Sequence, residues 1–369
     1  MKGSRKFIVP ALILVILTSA GLYLGAQEQK QPQAKTQAEY DAYMAVYKEL
    51  TPATKVDLAT KFLTDFPDSE FKLYAYQMLI DSHSRQGNPA KVIEVGEKFL
   101  AEFPQADNNT KKFVLQRLMG AYQQQNNFEK TVESGEKLLA IDPKDLPSLL
   151  TLASILPERL PTDEAARNEQ LDKAQGYAQR AVVEINALQK PAGSPMSDEQ
   201  WTTEKNRLLA SVYSSTGLIF LNKKDYPKSV EQYTLATNLS RTNPIDFYRL
   251  GIAYTFMARG TAKELNDLVT NINSLQTELQ SVSDPAAKDE KEKKLAELKV
   301  KQGEDEKKFP ELRDKGIDAL AKSVALKGAT EKQARTELER LYKSKNNNSL
   351  DGIDAVIQKA ADDLKKPAQ

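Results

Sequence analysis

Three phrases in this chain echo one another: Phe62-Leu63-Thr64-Asp65-Phe66-Pro67, Phe99-Leu100-Ala101-Glu102-Phe103-Pro104 and Leu138-Leu139-Ala140-Ile141-Asp142-Pro143. Their closing prolines stand 37 and then 39 residues apart, and Leu250-Gly251-Ile252-Ala253-Tyr254 repeats Thr216-Gly217-Leu218-Ile219-Phe220 after 34 residues. A period of that length holds one pair of helices. Such a pair is too small to bury its own apolar face, so successive pairs have to stack into a continuous core. The chain is therefore expected to be all-α, and its 369 residues can run as one array instead of two or three separate globules.

The spacing within each unit agrees. Tyr40, Tyr43, Met44 and Tyr47 recur at three and four residues, Thr51-Pro52 ends the stripe, and Val56, Ala59, Phe62 and Leu63 form a second stripe before Pro67. The pattern returns with Tyr76, Leu79, Ile80 and His83, a Gly87-Asn88-Pro89 turn, then Val92, Gly96 and Phe99. It returns again with Leu115, Leu118, Met119 and Tyr122, an Asn126-Asn127-Phe128 turn, then Val132, Gly135 and Leu138. Proline at the close of each unit has no amide hydrogen to continue the helix, and so sets the angle to the next.

These features resemble the tetratricopeptide repeat (TPR) family, whose motif reads W-x2-L-G-x2-Y in the first helix and A-x3-F with a closing proline in the second. Tyr213, Gly217 and Phe220, followed by Asp225-Tyr226, Tyr233 and Ala236, match one repeat; Phe247, Leu250, Gly251 and Tyr254 match the next. A stretched repeat runs from Leu149 to Pro157 and from Leu171 to Val182. Small residues at Gly96, Gly135, Ala178, Gly217 and Gly251 suit close helix approach, and the aromatics fill the space between hairpins. The resemblance implies a right-handed superhelical array of about five TPR-like hairpins over 39–258. It also implies a protein partner in a groove lined by first helices. Carried onto this chain, the lining is Tyr74, Gln77, Asp81 and Arg85, then Phe113, Gln116, Arg117 and Gln124, and later Tyr248, Arg249 and Phe256. The family's carboxylate clamp needs Asn at positions where this chain has Asp81, Gly120, Leu218 and Ile252, which argues against that mode.

After Ala258 the expected second helix does not arrive. Leu265, Leu268, Ile272, Leu275, Leu279 and Val282 follow instead at alternating spacings of three and four, a heptad seam. Asp284-Pro285 turns the chain, a Lys/Glu-rich helix with Leu295, Leu298 and Val300 returns, and Phe309-Pro310 is expected to end it. Residues 259–310 thus read as an inserted, coiled-coil-like helical hairpin. Either the hairpin satisfies its own seam, or the seam joins copies of the chain into a homo-oligomer. Residues 311–345 would complete the last repeat, and 346–369 would form a C-terminal capping helix, with Asn346 to Ser349 as its turn and N-cap.

The N-terminus differs in kind. Lys2, Arg5 and Lys6 precede an apolar run from Phe7 to Leu24, so 1–26 reads as a secretory signal or a membrane anchor, with 27–38 as a flexible tether. Both readings put the array in a bacterial envelope, outside the cytoplasm, because the positive flank stays inside. Membrane contact is expected only through that segment if it is retained. A net charge of +1 gives no basic excess for nucleic acid. Zero cysteines and a lone His83, at a packing position shared with Tyr122, Phe220 and Tyr254, leave no catalytic, metal or cofactor site to propose. The expectation is a non-enzymatic binding protein.

Overall fold

The structure is a computed structural model and describes residues 32–366; the signal or anchor segment 1–26 lies outside the described residues. Among the described residues there are helices and no strands, and no helix is long and apolar enough to cross a membrane. The helices are α1 (Gln37–Lys48), α2 (Pro52–Asp65), α3 (Lys72–Arg85), α4 (Pro89–Glu102), α5 (Asn108–Gln124), α6 (Phe128–Ile141) and α7 (Leu146–Ile155). A 3-10 turn (Leu156–Glu158) leads to α8 (Glu164–Ala187), α9 (Asp198–Asn222), α10 (Tyr226–Leu239), α11 (Pro244–Leu279), α12 (Pro285–Leu326), α13 (Glu331–Lys345) and α14 (Ile353–Lys365). The described residues form two compact units, divided between Leu152 and Ala153.

In the first unit α1/α2, α3/α4 and α5/α6 are antiparallel hairpins, and the first helices α1, α3 and α5 are neighbours. One turn is built three times in the chain. After α3, α5 and α9 a residue with positive φ (Gly87, Asn126, Lys224) reverses the backbone. The amides of Asn88, Asn127 and Asp225 then return to the carbonyls of His83, Tyr122 and Phe220 at 3.0, 2.9 and 2.9 Å. Those same Asn and Asp side chains cap the next helix, accepting from Lys91, Lys130 and Lys228 amides. One short segment therefore satisfies orphan carbonyls of the outgoing helix and orphan amides of the incoming one.

The echoing phrases are second-helix ends. Phe62, Phe99 and Leu138 are fully buried, and the helices stop at Asp65, Glu102 and Ile141, just before the prolines. Tyr76 meets Phe99 and Phe103 edge-on at 6.1 and 5.9 Å, locking one hairpin with rings from both helices. The end of the expected tether 27–38 is held in place from Gln33 onward. Thr36 caps α1, the Gln33 amide donates to Glu70 at 2.9 Å, and Lys35 donates to the Asp68 carbonyl at 2.7 Å. Buried Glu39 organises this start. Burial works against its charge, but the Ser69 hydroxyl and the Lys35 amide donate to it and hold its pKa below the usual carboxylate value.

In the second unit α9 and α10 pack closely because Gly217 has no side chain: a Cβ there would sit 2.9 Å from the Tyr233 ring. Gly251 is tighter still, with Leu320 Cγ 2.5 Å from the Cβ position. That contact shows where the delayed second helix is: it is the last third of α12. The inserted hairpin is continuous with the repeat it interrupts, because α11 and α12 simply run on past the repeat and back. Pro310 does not end a helix. It lies inside α12, a correction to the expected boundary at 310. Ile317, Leu320, Ala321 and Val324 of α12 share a core with Leu338 and Leu341 of α13 and with Ile353 and Ala360 of α14. The N-cap of α14 is Gly352, at φ 86°, and not the Asn346–Ser349 turn. The loop before α11 holds the far end of α14, since Arg241 donates to the Asp363 and Lys366 carbonyls at 2.8 and 3.0 Å.

Candidate interaction faces

On α3 and α5 the sequence-derived lining comes together as a surface. Asp81 accepts from Arg85 Nε at 2.6 Å on its own helix and from Arg117 Nη2 at 2.8 Å on the next first helix. The Arg117 guanidinium also stands 5.0 Å from the Phe113 ring centre, and Phe113 itself is half-buried. Two guanidinium groups thus share one carboxylate beside an aromatic wall, which leaves the patch cationic. Gln116 is turned away to the next loop, donating to Asp145 at 2.8 Å. Asp145 is itself buried; it caps the first turn of α7 through Ser148, and Lys112 bridges it to Asp142. Gln77 is half-buried beside Asp81, and Gln124 is exposed at the far end of α5.

Tyr74 is 39% exposed and opens onto a group of rings that the repeat register did not assign to the lining. Tyr43 stacks on Phe71 at 4.2 Å and lies 6.4 Å from Tyr47, which is 61% exposed. Spacing alone does not distinguish this stripe from a core stripe. The signal that separates them is position: α1 is the first of the described helices, and no earlier hairpin covers it among the described residues.

In the second unit the same register positions are used differently. Tyr248 packs against the core shared by α12, α13 and α14. Arg249 is 21% exposed on its side chain and donates to Glu158 at 2.7 Å. Behind it lies Asp246, almost fully buried, which accepts from the Ser214 hydroxyl and from Asn243 Nδ2 at 2.8 Å. Burial pushes the Asp246 carboxyl up to about 6, against the lowering influence of Ser214, Arg249 and Asn243. Tyr233 is fully buried in the same cluster, with the Arg249 guanidinium beside its hydroxyl. Of the three residues assigned to this lining only Phe256 is open, 37% exposed, stacked on Tyr226 at 4.8 Å with Arg259 5.7 Å from its ring.

The heptad seam is turned inwards. Leu268, Ile272 and Leu275 are buried, Leu265, Leu279 and Val282 are half-buried, and α12 returns alongside them. The hairpin satisfies its own apolar stripe, and the reading of an open oligomer seam loses its exposed surface. On α12 the facing positions are Leu295, Leu298, Gln302, Asp305, Phe309 and Leu312, whereas Val300 is 64% exposed on the outside. Asp305 was missed because a carboxylate reads as surface; its place on the same three-four spacing was the available signal. No group of metal-ligating side chains occurs among the described residues.

No family model matches the chain, and no curated protein matches it. Solved structures with a similar arrangement include a tetratricopeptide repeat protein from Parabacteroides merdae, 12% identical over 83% of this chain and all of that one, with a TM-score of 0.38. The C-terminal part of a TPR repeat-containing protein from Cytophaga hutchinsonii is 11% identical over 89% of this chain and 99% of that one, at 0.36. A thermophilic TPR protein from Thermus thermophilus is 16% identical over 62% and 99%, at 0.29. The repeated turns, the close contacts at Gly217 and Gly251 and the aromatic packing make this chain an all-α array of TPR-like helical hairpins.

Proposed function

We propose that this protein is a non-enzymatic scaffold of the bacterial cell envelope that holds a protein partner on the first-helix face of its N-terminal unit. The observation that carries the reading is the α3–α5 surface. There Tyr74 and Phe113 supply apolar contact area and the Arg85–Asp81–Arg117 group supplies directed, surplus cationic donors. Exposed aromatics with arginine are the residue types that dominate binding energy at protein interfaces, because they bury large area at small entropic cost. A segment bearing carboxylates and apolar side chains fits that chemistry. The envelope assignment rests on the basic and apolar composition of residues 1–26.

The test is site-specific photocrosslinking in intact envelopes. A benzophenone side chain at Tyr74 or Phe113 is expected to give discrete adducts with one partner, and the same probe at Lys137 on the second-helix surface is expected to give none. Equal labelling from both faces, or no adduct from either face, overturns the reading.

A further inference from the structure

The long hairpin of the second unit carries helix-weakening residues at one level of both its helices. The register follows from contacts at either end. Gly316 packs on Tyr254 near the base, and Lys291 pairs with Glu278 near the tip. Two continuous α-helices between these contacts bring Gly260 of α11 level with Pro310 of α12. Pro310 lies inside α12 and has no amide to donate to the Glu306 carbonyl. Gly260 is exposed, and a Cβ added there would meet nothing within 4 Å. No packing demand explains the glycine, so its effect on α11 is to weaken the helix.

The layers just beyond this level are weakened too. Asp305 is buried on the seam and its Oδ2 has no hydrogen-bond partner. Gln302 takes the preceding seam position, facing the Leu268 layer, where an apolar side chain would complete the core. Gly303 lies between them with open space around it. Leu295 and Leu298 against Leu275 and Ile272 then restore an apolar seam towards the tip. Below the level, Leu312, Ile317 and Leu320 are firmly buried. A weak band therefore separates two well-packed ends.

We infer that residues 262–308 form a lever that bends at the level of Gly260 and Pro310. Helix kinks concentrate at proline and glycine, and here the two coincide across the pair, so neither helix splints the other. The arm from Ala262 to Leu279 is about 27 Å long, and a kink of about 20° at its root would carry the tip about 9 Å. The bend moves the charged tip relative to the base of its own hairpin, independently of the first-helix surface proposed for partner binding.

The chain has no cysteine, so paired labels can be placed without background. Spin labels on Lys288→Cys near the tip and Lys332→Cys on α13, in the full chain, give a distance distribution by pulsed electron spin resonance. A broad distribution is expected, and Gly260→Ala with Pro310→Ala is expected to narrow it at least twofold. Both substitutions favour helix, so loss of folding is not the anticipated failure. Hydrogen exchange supplies a second readout: amides at 258–264 and 306–314 are expected to exchange at least tenfold faster than those at 268–275, and to slow in the double variant. A distribution already as narrow as that of the double variant, or exchange uniform along the hairpin, overturns the lever.

Discussion

Arg117 on α5 and Arg249 on α11 occupy the same position of the repeat register, yet they live in different environments. Arg117 shares Asp81 with Arg85 at a surface and keeps 38% of its side chain exposed. Arg249 lies over buried Asp246 and Tyr233, pairs with Glu158 and keeps 21% of its side chain exposed. What differs is what stands next to each helix. In the second unit the return of α12, with α13 behind it, puts Tyr248 against a core and closes the neighbourhood. Register thus assigns a residue to a face, and the neighbouring helices decide whether that face is open.

The largest effect expected from this difference is steric. Gly251→Val places a branched side chain where Leu320 Cγ is 2.5 Å and the Leu320 backbone nitrogen 3.2 Å from the Cβ position, so both helices have to shift. A loss of about 3 kcal/mol is expected in denaturant unfolding. Gly120→Ala on α5 meets nothing within 4 Å and is expected to be neutral, or stabilising by up to about 1 kcal/mol from helix propensity. Similar losses at both positions would break the contrast between a crowded and an open first helix.

Protonation tests the same contrast chemically. Asp246 has its folded pKa raised to about 6 from 3.8. An acid whose pKa is raised by folding favours the fold when protonated, so this stabilisation is complete below 3.8 and is lost as pH rises through about 6. The second unit is expected to lose about 2 kcal/mol between about pH 4 and pH 7 from this group. The loss should be absent in Asp246→Asn, as measured by urea midpoints across that range. The groups facing Asp246 are Ser214, Asn243, Arg249 and, through Arg249, Tyr233 and Glu158; of these only Glu158 is another carboxyl. An unchanged slope in the variant would mean that Asp246 remains ionised beside Arg249.

Much of the architecture was legible because each repeat restates the same local instructions. The Gly87, Asn126 and Lys224 turns differ in residue type but are followed each time by Asn or Asp as a cap, and Phe62, Phe99 and Leu138 each precede a proline by five residues. The heptad spacing of Leu265 to Leu279 likewise needs only its own helix to be read. Long-range facts were harder. That Tyr248 and Arg249 are covered depends on residues as distant as Glu158 and Leu338, which no local pattern links to them. Pro310 misled because proline ends most helices, whereas here the α11 pairing on one side and the Leu312–Leu320 packing on the other carry α12 through it. Tyr47 reads as core from its spacing alone, yet it is exposed.

A small expected change in stability comes with the most specific loss of function, and it divides the two arginines. Arg249→Ala leaves Glu158 without its donor and removes the cation nearest Asp246 and Tyr233, and should destabilise by about 2 kcal/mol, typical of a charged hydrogen bond in a shielded place. Arg117→Ala breaks one of the two bonds to a carboxylate that Arg85 still holds at 2.6 Å, so less than about 1 kcal/mol is expected, falling further with added salt. Its consequence should lie in binding: adducts from the probe at Tyr74 are expected to fall at least fivefold in Arg117→Ala, with melting nearly unchanged. Arg117→Lys separates charge from shape. If a point charge suffices, lysine restores the adducts; if the partner needs a planar fork held against Phe113, it does not. A chain that loses stability but keeps its adducts would place Arg117 with Arg249 as a structural residue and leave Tyr74 and Phe113 to bind alone.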